Sequence, residues 1–105
     1  MTRNTWSPAL PRDENGKVMN VIIEYDSETL ATYVSLSDVP PARQIEVRSE
    51  SVAIDLDEHG QPVGVEILFS PTEITPEIIS AIDEQFPELG QRVARALVGA
   101  GYHAA

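Results

Sequence analysis

Val52-Ala53-Ile54-Asp55-Leu56-Asp57-Glu58-His59-Gly60-Gln61-Pro62-Val63-Gly64-Val65-Glu66-Ile67 is the stretch that decides the fold of this chain. Val52, Ile54 and Leu56 alternate with Ala53 and Asp55, and Val63, Val65 and Ile67 alternate with Gly64 and Glu66. A period of two in β-branched residues is the mark of a half-buried strand. Asp57-Glu58-His59-Gly60 between them is turn chemistry, with Gly60 available for a positive φ. The stretch therefore reads as a β-hairpin. Pairing Ile54 with Val65 and Leu56 with Val63 keeps the apolar side chains on one face.

The same alternation extends upstream. Val21, Ile23 and Tyr25 form one strand, Leu30, Thr32, Val34 and Leu36 a second, and Ile45 and Val47 a third. Asp26-Ser27-Glu28-Thr29 suits a tight turn, Asp38-Val39-Pro40-Pro41-Ala42 a longer loop, and Ser49-Glu50 is the weakest of the turns. Short connections favour sequential antiparallel neighbours. Residues 21–69 are expected to form a five-stranded antiparallel β-meander.

Downstream the period changes. Thr75 can cap a helix with Pro76 at its first position and Glu77 beside the positive end of the dipole. Ile78, Ile79, Ile82 and Phe86 then share a stripe. Pro87 ends that helix, and Leu89, Val93 and Leu97 mark a second, with Gly99 as its stop. Gly90 costs this second helix about 1 kcal/mol relative to Ala. One sheet face is apolar and needs a cover. The expected fold is α+β: the meander with one or two C-terminal helices (75–98) on its apolar face, a single domain over 21–98. A second copy of the chain is another source of cover, so a homodimer stays open. Residues 1–20, with Pro8, Pro11, Asn15 and Gly16, read as a mobile arm carrying Trp6, and 99–105 as a frayed tail.

Composition narrows the function classes. The chain has 105 residues, enough for one core. Seventeen acids against seven bases give a net charge of −10, which argues against nucleic-acid binding and against docking on an anionic membrane. There is no cysteine, which excludes disulfides and thiolate chemistry. With no apolar run of membrane-spanning length and no signal-like start, the expected compartment is the cytoplasm. Residues 21–69 hold ten acids and two bases, so the acidity concentrates on the sheet.

No catalytic set emerges. The two histidines, His59 and His103, fall in a turn and in the tail, and no nucleophile elbow, phosphate loop or zinc pattern is present. The expectation is a protein without enzymatic activity and without a cofactor. A carboxylate-based enzyme would need a concave pocket holding a buried acid. Asp55, Asp57, Gly60 and Glu66 match positions one, three, six and twelve of a calcium loop, but His59 stands at position five, Pro62 interrupts, and the flanks read as strands rather than helices. Register places Glu46 and Glu66 on either side of Ala53, with Gln44 beside Asp55, on the outer sheet face. Glu46 and Glu66 would be roughly 10 Å apart, two strand spacings. Glu46, Asp55, Asp57 and Glu66 are the candidates for a weak metal or small-ligand site. By strict alternation Arg48 joins this face and neutralises part of it.

Tyr25-Asp26-Ser27-Glu28 leading to Tyr33-Val34-Ser35-Leu36, and Ile54-Asp55-Leu56-Asp57-Glu58-His59-Gly60-Gln61-Pro62-Val63-Gly64-Val65-Glu66-Ile67-Leu68, together resemble the small bacterial family known as domain of unknown function 2283. The chain differs from the usual pattern at Leu30, Thr32 and His59. The resemblance implies a small, β-rich, cytoplasmic protein with no established activity. Some members lie beside small toxin-like proteins, which implies an antitoxin-like or regulatory role. With the residue reading, this gives a non-enzymatic interaction module meeting a basic partner protein.

Overall fold

The computed structural model describes residues 3–6, 22–48 and 51–102. Among the described residues six strands are followed by two helices: β1 (Arg3–Trp6), β2 (Ile22–Asp26), β3 (Ala31–Ser35), β4 (Arg43–Arg48), β5 (Val52–Leu56), β6 (Pro62–Ile67), α1 (Pro76–Gln85) and α2 (Leu89–Val98). A single 3-10 turn, Pro71–Glu73, leads into α1. All described strand pairs are antiparallel. The fold is α+β, as the two periodicities require. No described helix is long and apolar enough to cross a membrane.

The strand order corrects the meander. It runs β1-β2-β3-β6-β5-β4, so β3 pairs with β6 and not with β4. Residues 36–42 carry the chain past the ends of β6 and β5 to the far edge. The Leu36 amide donates to Val63 O and the Ala42 amide to Leu56 O, tying the crossing down at both ends. Seven residues reach about 23 Å when extended, against roughly 14 Å for three strand steps. A loop of that length does not force its two strands to be neighbours. The four strands β3-β6-β5-β4 form a Greek key. β4 lies at the edge, where its charged first and last residues, Arg43 and Arg48, suit an edge strand.

Residues 3–6 also depart from expectation. The sequence of the arm predicts no regular structure, yet Arg3–Trp6 pairs with β2 as a sixth strand, Arg3 opposite Asp26 and Trp6 opposite Ile23. The rest of the expected arm, the Ser49-Glu50 turn and His103 lie outside the described residues. Leu30, expected at the start of β3, instead closes the β2–β3 turn in the left-handed region, with φ of 57°.

One row of β-branched side chains runs across the inner face. Register joins Ile23, Val34, Val65, Ile54 and Ile45 in sequence from β2 to β4. The first four are fully buried. Val52, Leu56 and Ile67 extend the face, and Ile78, Ile79 and Ile82 of α1 with Leu89, Val93, Ala96 and Leu97 of α2 cover it. Phe86 packs against this cluster half-buried. Thr32 is the buried polar residue of this face, and its hydroxyl donates to Phe69 O at 2.6 Å.

The helices start as their sequences direct. The Ile78 amide donates to Thr75 Oγ1 at 3.4 Å, with Pro76 at the first turn. Hydrogen bonds from the Glu77 amide and from Thr75, with Arg48 nearby, hold the Glu77 carboxyl below the usual range. α2 is capped differently. Glu88 precedes it at φ of 73° with no side-chain cap. Asp83 of α1 accepts from the Gly90 amide at 2.6 Å instead. Gly90 is thus more than a weak helix former. A Cβ there would run into the Ile79 carbonyl and lie 2.7 Å from Asp83 Oδ1, so glycine lets the two helices approach.

The tail is not frayed over its described part. Gly101 takes φ of 110°, its amide donates to Val98 O, and the Tyr102 amide donates to Leu97 O at 3.0 Å. This is a Schellman motif with Gly101 as the closing glycine, displacing Gly99 from that role. Tyr102 turns back into the core and is 4% exposed.

Three substitutions check this arrangement by urea or thermal unfolding. Gly90→Ala lowers stability by about 1–3 kcal/mol although alanine is the better helix former, because the methyl overpacks the helix crossing. Glu88→Gly raises stability by about 0.5–1 kcal/mol by relieving the left-handed backbone. Tyr102→Ala lowers it by about 3 kcal/mol, where a frayed tail would show no change.

Candidate interaction face

The helices cover one side of the sheet, and the other side is set by the same alternation. Register aligns Glu24 of β2, Tyr33 of β3, Glu66 of β6, Ala53 of β5 and Glu46 of β4 in one cross-strand row. The next row holds Ile22, Ser35, Gly64, Asp55 and Gln44. Asp26 and Ala31 form a pair on the other flank. The expected placement of Glu46 and Glu66 around Ala53, and of Gln44 beside Asp55, is found.

Two register details differ. Leu56 pairs with Pro62 rather than Val63, through an irregularity after Asp55, and Arg48 breaks the strict alternation by pairing with Val52. The second shift is a bulge between Glu46 and Arg48. An extra residue reverses the facing of the residues beyond it. Arg48 is therefore turned to the helix side, where it lines a groove with Glu77, Ser80 and Glu84 of α1. It does not neutralise the outer face. Arg43, opposite the buried Leu56, also falls outside the outer rows.

Tyr33 and Gly64 dominate the relief of the face. The Tyr33 side chain lies across Gly64, and a Cβ on Gly64 would coincide with its ring and hydroxyl. The phenol reaches Asp55 and donates to Oδ2 at 2.8 Å. Gln44 Nε2 donates to Asp55 Oδ1 at 2.9 Å. Three strands are thus tied across the outer face by side chains. Burial raises the Tyr33 phenol well above its ordinary value, reinforced by the hydrogen bond to Asp55 and by the charges of Asp55, Glu66 and Glu24. The phenol therefore stays a donor.

Beside the Tyr33 ring lies a hollow of about 430 Å³, lined by Glu24, Asp26, Thr29, Ala31, Tyr33 and Glu66. Asp26 is only 6% exposed. It is the buried acid that a carboxylate enzyme would need, but its Oδ1 accepts from the Glu28 amide at 2.9 Å and supports the turn. Asp57 serves its own turn in the same way. Its Oδ1 accepts from the Gln61 amide at 2.9 Å and the His59 amide at 2.8 Å, and these bonds hold its carboxyl below the usual range. The calcium-loop pattern is thus a hairpin, closed by Asp57 N to Gln61 O, with Gly60 at φ of 80°. His59 is exposed, 3.4 Å from Glu58. Among the described residues no three His, Asp or Glu side chains are gathered in a way that could hold a metal ion, so Glu46, Asp55, Asp57 and Glu66 do not form one donor set.

The alternation does not reveal the span of Tyr33 over Gly64. The signal is present, since a glycine inside a strand marks a close approach.

Residues 22–70 match the family described as Protein of unknown function (DUF2283), and the chain resembles that family across this segment. The segment holds β2 to β6, including Tyr33, Asp55, Gly64 and Glu66, and neither β1 nor the helices. No curated protein and no solved structure matches the chain.

Tyr33→Phe removes the bond to Asp55 and costs about 1.5 kcal/mol. It also changes the alkaline limb. Above about pH 10 the unfolded chain releases a phenol proton that the folded chain keeps. This stabilisation is complete below that pH and is lost as pH rises towards the folded value. Urea midpoints between pH 9 and 11.5 therefore fall less steeply for Tyr33→Phe than for the parent. Equal slopes would show that the phenol is not held protonated.

Proposed function

We propose that this chain is a non-enzymatic interaction module that docks a basic partner protein on the helix-free face of its sheet. One observation carries the reading. The outer rows hold four carboxylates, Glu24, Glu46, Asp55 and Glu66, with Asp26 on the flank at the register position opposite Arg3 of β1, while Arg43 and Arg48 of β4 lie outside those rows. The sheet's sequence supplies the acids, and the bulge in β4 keeps Arg48 from cancelling them.

Individual exposed ion pairs are worth only about 0.2–1 kcal/mol. A face of one sign acts through their sum and through steering, which raises association rates and excludes wrong partners. Tyr33 supplies an aromatic at the centre of the face, a residue type enriched at interfaces. Ile22 on its margin is 42% exposed and adds apolar contact. A second copy of the chain is the poorer occupant, since a two-fold dimer through this face sets carboxylates against carboxylates. Control of a basic partner in the cytoplasm, in the manner of an antitoxin, is the role this docking would serve.

The test is affinity purification of the full chain from its native cells, followed by binding measurements on whatever co-elutes. A basic protein is expected, with affinity falling as salt rises. The double variant Glu46→Lys/Glu66→Lys is expected to weaken binding at least about tenfold. Glu84→Lys, on the exposed side of α1, is expected to leave it unchanged. A partner whose binding ignores salt and the double variant would overturn the proposal.

A further inference from the structure

No further inference is drawn: the strongest candidate, the hollow beside Tyr33 on the outer sheet face, is an acidic cluster belonging to the face already described, and nothing in the structure shows what it would hold.

Discussion

The inner row Ile23, Val34, Val65, Ile54 is the constraint on which the rest depends. Four β-branched side chains on four adjacent strands are all removed from water. Each contributes about 1.5–3 kcal/mol when fully buried, but only if something lies over it. A bare sheet supplies no cover. The helix pair does, and the tightness of that pair is set at Gly90, where the α1 backbone leaves no room for a side chain. Asp83 then joins the two helices. It sits late in α1, and its carboxylate satisfies an amide at the start of α2, where four donors lack helical partners. The cap that α2 lacks in its own sequence comes from the helix it packs against.

Much of this is legible in the sequence because period two and period 3.6 are hard to confuse over such lengths. Alternation together with the short hairpin connections places Ala53 opposite Glu66, Glu46 opposite Ala53 and Gln44 opposite Asp55. Thr75-Pro76-Glu77 announces α1 at the residue where it begins. The strand order is not legible. Alternation says which face a residue takes and nothing about which strand is its neighbour. The loop from Leu36 to Ala42 is long enough for either answer. The bulge in β4 is hidden for a similar reason. Glu46-Val47-Arg48 alternates perfectly as a string, and only the pairing of Arg48 with Val52 reveals the extra residue.

The two chain ends escape sequence reasoning for different causes. Arg3-Asn4-Thr5-Trp6 has too few residues to carry a strand signal, and its pairing is imposed by the open edge of β2. At the other end, Gly99 and Gly101 offer two stops. The Schellman pattern favours an apolar residue directly after the closing glycine, and Tyr102 follows Gly101. Ala100 after Gly99 leaves both stops open in the sequence, and the bonds of Gly101 and Tyr102 to Val98 and Leu97 make the choice.

The outer face is made from the positions that the inner face leaves over. Its residues occupy the alternate sites, so their spacing is fixed by a register chosen to bury their neighbours. Small residues at Ala31, Ala53 and Gly64 are interleaved with long ones, and the Tyr33 ring settles into the gap that Gly64 leaves. There it meets Asp55 and donates a hydrogen bond to it. The phenol and Gln44 occupy both Asp55 oxygens, so Asp55 is a structural part of the face. Glu46 and Glu66, separated by Ala53, are free of that duty in the register that places them. Under the proposed docking, their charge is therefore the part of the surface whose reversal would read on a partner rather than on the fold.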